Sequence, residues 1–110
     1  MNNDSAPVYS VLAADPDLQE IVRLFVDEMP ERTAVLEKHF ISGNWTELAR
    51  TAHQLKGAAG SYGFTELSLV AATLESSIKS DADREAIAVA TESLITHCRR
   101  MTALPAPESK

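Results

Sequence analysis

The 110-residue chain contains one cysteine, Cys98, so no internal disulfide can form. No Cys-x-x-Cys pair is present to hold a metal or attach haem. Such usage fits a reducing compartment. No uninterrupted apolar run approaches the about 18 residues that a membrane span needs, and the N-terminal residues lack the basic-then-apolar order of a secretion signal. A soluble, cytoplasmic protein is therefore expected. Basic residues are outnumbered, with 10 Lys and Arg against 16 Asp and Glu and a net charge of −6. That balance disfavours DNA, RNA and anionic membrane as partners. β-type alternation, internal repeats and low-complexity tracts are also missing, which leaves an all-α class. No ATP-binding glycine loop or kinase-like segment occurs, so autophosphorylation is not expected.

What is present is helical periodicity. The length suits one domain, with a lead-in over residues 1–14, a helical body over 15–103 and a proline-containing flexible tail over 104–110. The lead-in is polar and mixed, and is expected to be flexible and only partly ordered. Asp15-Pro16-Asp17 opens a helix with a capping oxygen, a first-turn proline and an acid near the positive helix end. Leu18, Val22, Phe25 and Met29 follow at helical spacing, broadened by Ile21 and Leu24. Pro30 predicts a kink or short break, with continuation through Leu36 and Phe40. Ser42-Gly43 stops that helix, and Asn44 with Glu47 forms a capping-box pattern for the next. Gly63 ends the central helix, and Leu67, Ala71, Leu74 and Ile78 mark its successor. Ser80 to Asp83 is a turn and cap, after which Ile87, Ala90, Leu94, Cys98 and Met101 mark the last helix. Short connections predict an antiparallel up-and-down four-helix bundle, with the additional short N-terminal helical segment across one end.

The central helix carries the chemistry. Trp45, Leu48, Ala52, Leu55 and Ala59 fall in one apolar sector, and His53 projects roughly 130° away from it, towards water. Its helical neighbours at three and four residues are Arg50, Lys56, Ala49 and Gly57. Two cations and two minimal side chains thus surround one imidazole. Gly57 and Gly60 each cost a helix about 1 kcal/mol relative to alanine. Stability given up on the histidine face favours close approach by another molecule, and positive charge nearby favours an anion such as a phosphoryl group. His39 and His97 lack this setting and read as structural. Cys98 reads as a small core residue.

His53-Gln54-Leu55-Lys56-Gly57, with Gly63 six residues later, resembles the H-x-L-K-G-x-x-x-x-x-G pattern of histidine-containing phosphotransfer (HPt) domains. The likeness continues through Phe25 to Leu36 with Pro30-Glu31-Arg32, through Trp45 to Ala52, and through Leu67, Ala71, Leu74 and Glu75, covering about residues 16–102. It implies a phosphoryl carrier of multistep two-component relays, with His53 as phosphoacceptor and Lys56 stabilising the phosphoryl group. The implied partners are receiver domains and a hybrid sensor histidine kinase. The chain would need no cofactor of its own, Mg²⁺ being held by the receiver. The docking patch is expected around Ala49, Arg50, Gln54, Gly57, Gly60, Ser61 and Ser68, with apolar positions of the first helix near Pro30 adding to it. The carrier is expected to be monomeric. Two departures from the family pattern occur: Ala58-Ala59 stands where serine is frequent, so that a hydroxyl contact near the phosphoryl group is either missing or supplied by Ser61, and Phe64 stands where alanine is common.

Two rival readings come from other classes. A bundle that docks receivers as a scaffold without transferring phosphate would be expected to lose the histidine or its lysine, and this chain has both. A di-iron bundle needs Glu-x-x-His ligands, whereas Leu36, Arg50 and Leu94 stand three residues before the three histidines.

Overall fold

The computed structural model describes residues 6–107. The fold is an all-α bundle of α1 (Pro16–Asp27), α2 (Met29–Ile41), α3 (Trp45–Ser61), α4 (Thr65–Lys79) and α5 (Arg84–Arg100), flanked by the two-residue strands β1 (Val8–Tyr9) and β2 (Met101–Thr102). Helices α2 to α5 pack as a ring in chain order, α3 against α4 most extensively, while α1 lies against α2 and β2. This is the expected four-helix bundle with its extra N-terminal helix.

The helix starts follow local chemistry. Asp15, Asn44 and Asp83 each accept a first-turn backbone N–H with a side-chain oxygen, at 2.9, 3.3 and 2.9 Å. Each satisfies a donor that a helix start leaves unpaired. The capping box at Asn44 closes on one side only: its backbone N–H goes to the His39 carbonyl, and Glu47 turns to Arg50. At Pro30 the chain breaks rather than bends smoothly. Glu28 alone links α1 to α2, and the proline sits in the first turn of α2, where its missing N–H costs nothing.

Each helix buries the stripe its periodicity predicts. Val22, Phe25, Leu36, Leu48, Ala52, Leu55, Ala59, Leu67, Ala71, Leu74 and Leu94 are almost wholly enclosed. Cys98 is also buried, which pushes its thiol up to about 12. Ile21 and Leu24 depart from expectation and face solvent, because only one side of α1 meets the bundle. Trp45 is half-buried. It packs on Phe40, and the Arg84 guanidinium lies 4.7 Å from the Phe40 ring centre and 5.5 Å from that of Trp45, closing one end of the bundle.

The lead-in is where the structure differs most from the expected flexible segment. Val8, Ser10 and Ala13 are buried, and β1 pairs in parallel with β2, Val8 opposite Met101 and Tyr9 opposite Thr102. Residues 1–5 and 108–110 of the expected lead-in and tail lie outside the described residues. The segment is anchored at the α3–α4 turn, where the Ser10 hydroxyl donates to the Tyr62 carbonyl at 2.6 Å and the Val11 N–H to that of Gly63 at 3.0 Å. Phe25 of α1 stacks on Tyr62 at 4.6 Å beside it. Gly63 is required twice over. Its φ is +83°, and a Cβ there would come within 2.5 Å of Ser10 Oγ and 2.9 Å of Leu12 Cγ. Gly63→Ala is expected to lower stability by about 2–4 kcal/mol, from backbone strain plus overpacking. Urea unfolding followed by circular dichroism would register this as a lower midpoint.

Candidate functional site

α3 presents His53 on the outer surface, with 62 % of its side chain exposed. The imidazole is nonetheless tethered. Its Nδ1 lies 2.9 Å from Oε2 of Glu75 on α4, a carboxylate only 8 % exposed. Glu75 falls among the inward positions Ala71, Leu74 and Ile78 of α4, so helical periodicity turns it towards α3. A buried carboxylate needs partners for its charge. Glu75 has three: Lys56 Nζ at 3.1 Å from Oε1, Lys79 Nζ at 2.8 Å from Oε2, and the His53 ring. The lysines and the ring hold it well below the usual carboxylate range, at about 2, Lys79 contributing most and burial opposing.

That ionisation settles the proton on His53. An ionised carboxylate can only accept, so Nδ1 carries the hydrogen and donates it. In the neutral ring Nε2 then holds the lone pair, and no described residue hydrogen-bonds to it. The arrangement amounts to a nucleophilic nitrogen facing outward, with its ring oriented from behind by an anion that can offset positive charge gained on attack.

The electrostatics differ from the cationic surround expected from the sequence. Lys56 and Lys79 are both spent on Glu75, and Arg50 pairs loosely with Glu47 at 3.7 Å. Three cations thus stand near the ring, each paired with one of two carboxylates.

The other expected docking residues are placed differently from one another. Ala49 and Arg50 line an open groove of about 540 Å³ with Trp45, Thr46, His53, Glu75, Ile78, Lys79 and Asp81. Gln54 faces a different groove, between α2 and α3, beside Arg32, Val35 and Thr51. Gly57 and Gly60 are exposed, and a Cβ at Gly57 would meet nothing within 4 Å, so no internal contact demands glycine there. Ser61 is the last residue of α3, and eight residues from His53 put it about 12 Å away along the axis. It is too distant to substitute for a hydroxyl beside the ring. Ser68 is also committed elsewhere, its hydroxyl donating to the Lys56 carbonyl at 2.8 Å and tying α4 to α3. Glu75 and Lys79 were not among the expected site residues. An acid inside an apolar helical stripe, with lysine one turn on, was the available signal.

Fold and site together describe a helical bundle that presents on one face an exposed histidine whose ring is held by a buried glutamate. The Hpt domain family model matches residues 20–104, and the chain belongs to that family. Comparison with curated proteins and with solved structures gives no match. Hpt domains act in phosphotransfer within two-component signalling, as phosphocarrier modules rather than kinases. No helix among the described residues is long and apolar enough to cross a membrane.

Because the Glu75 pKa is depressed on folding, its contribution to stability is present above the ordinary value of 4.5 and is lost as pH falls through about 2. Glu75→Gln is therefore expected to lower neutral-pH stability by about 1–3 kcal/mol and to flatten the decline in stability between pH 4.5 and 2. Urea midpoints measured across that range would check both effects.

Proposed function

We propose that this chain is a histidine phosphotransfer module that takes a phosphoryl group from a receiver-domain phospho-aspartate onto His53 and passes it to the aspartate of another receiver. The observation that carries this reading is the bond from His53 Nδ1 to Glu75, which leaves Nε2 as the outward nucleophile. In the first step the Nε2 lone pair forms the N–P bond. The P–O bond of the acyl phosphate breaks, and its electron pair leaves with the aspartate carboxylate. The Nδ1 proton stays in place, and the positive charge gained by the ring is held against Glu75. Return to a second receiver is the same exchange in reverse.

The chain brings no cofactor of its own in this scheme, the Mg²⁺ of the reaction being held by the receiver. Lys56 supports the phosphorylated state through its hold on Glu75 and its place one turn from the ring. Ala49, Arg50, Gly57 and Gly60 form the approach surface, and the exposed faces of Gln54 and Ser61 extend it. The upstream partner is a hybrid sensor histidine kinase, and the module works as a cytoplasmic monomer.

Incubation with a phosphorylated receiver is expected to give an acid-labile, base-stable phosphate on the protein, and His53→Gln is expected to abolish it. Absence of label from every cognate receiver, with binding retained, would favour the scaffold reading.

A further inference from the structure

Two lysines stand on Glu75 beside His53, and they are placed differently. Lys56 holds Glu75 Oε1, keeps 37 % of its side chain exposed and does not line the groove beside the imidazole. Lys79 does line that groove. Its Nζ sits 2.8 Å from Oε2, the same oxygen that His53 Nδ1 contacts at 2.9 Å, so ring and ammonium share one acceptor atom. Its side chain is 67 % exposed, and it is the last residue of α4, where the helix is least constrained.

From this shared acceptor we propose that Lys79 is a detachable counter-cation, resting on Glu75 while His53 is empty and moving onto the phosphoryl oxygens when Nε2 is loaded. The proposal rests on the phosphotransfer reading above and identifies the residue that handles the charge. Release costs Glu75 its strongest partner, but the ammonium itself is largely exposed and stays in solvent as it moves. Glu75 is not abandoned, since Lys56 and the Nδ1 hydrogen still satisfy it. The gain is larger, because a phosphoryl group brings nearly two negative charges and strong acceptor oxygens. The flexible four-carbon stem of lysine spans the few ångströms between the two sides of the ring. Movement of Lys79 also leaves Oε2 to the Nδ1 hydrogen alone, strengthening the hold on the ring when it carries added charge. Arg50, on the facing side of the groove, is loosely tied to Glu47, and Asp81 lines the same groove.

The test separates this inference from the phosphotransfer reading by loading His53 chemically, with phosphoramidate, and following the ³¹P resonance of the phosphohistidine against pH. A cation in contact with the group favours its dianion, so Lys79→Gln is expected to raise the last phosphoryl ionisation by about half a pH unit. Lys79→Arg is expected to leave it near the wild-type value, and Lys56→Gln to shift it less than Lys79→Gln does. Arg99→Gln, a matched charge loss on α5, serves as the control and should not move it. Retention of the helical circular dichroism spectrum establishes that each variant is folded. No shift in Lys79→Gln, an equal shift in Lys79→Arg, or a larger one in Lys56→Gln would overturn the assignment. Failure of receivers to label a protein that phosphoramidate does label would instead overturn the phosphotransfer reading and leave the Lys79 result standing.

Discussion

A carboxylate placed in the wall between two helices organises this protein's surface chemistry. Glu75 is drawn inward by the periodicity of α4, and an isolated charge there would be strongly unfavourable. Two lysines and an imidazole converge on it, and they come from both helices of the most extensive packing interface in the bundle. The convergence orients a ring that would otherwise rotate freely on the surface, and it engages Nδ1 while leaving Nε2 outward. Packing and reactivity are here consequences of one interaction. Lysines held on an internal carboxylate are stored beside the ring rather than left as unpaired surface cations.

The scaffold behind the site is stiffened at both ends by aromatic contacts. At one end Arg84 covers Phe40 and Trp45. At the other Phe25 stacks on Tyr62, and the N-terminal strand segment closes over Gly63. Between them α3 and α4 bury Leu48, Ala52, Leu55 and Ala59 on one and Leu67, Ala71 and Leu74 on the other. Their packing brings Glu75 of α4 within 2.9 Å of the His53 ring on α3. The exposed glycines of α3 leave the opposite side of the ring open.

Most of the helical framework was legible from spacing and caps. Asp15, Asn44 and Asp83 start helices as their side chains predict, and the stripe from Leu48 to Ala59 is buried as its period requires. The exposure of His53 follows from the same arithmetic. Where the reading went astray, the missing term was a partner from another element. Ile21 and Leu24 look like core by period but have no helix opposite them. Val8, Ser10 and Ala13 show no period, yet they are buried because the chain returns at Met101 and at the α3–α4 turn. Ser68 looks like a surface hydroxyl and is in fact a tie between helices.

By itself, the order of residues determined five helices, the stop at Gly63 and an imidazole on the outer side of α3, because each depends on neighbours within one or two turns. It could not determine that Glu75 stands behind that imidazole 22 residues away, or that Lys79 competes with the ring for one oxygen. Those facts depend on the rotation and register of α4 against α3, which only side-chain packing across the interface decides.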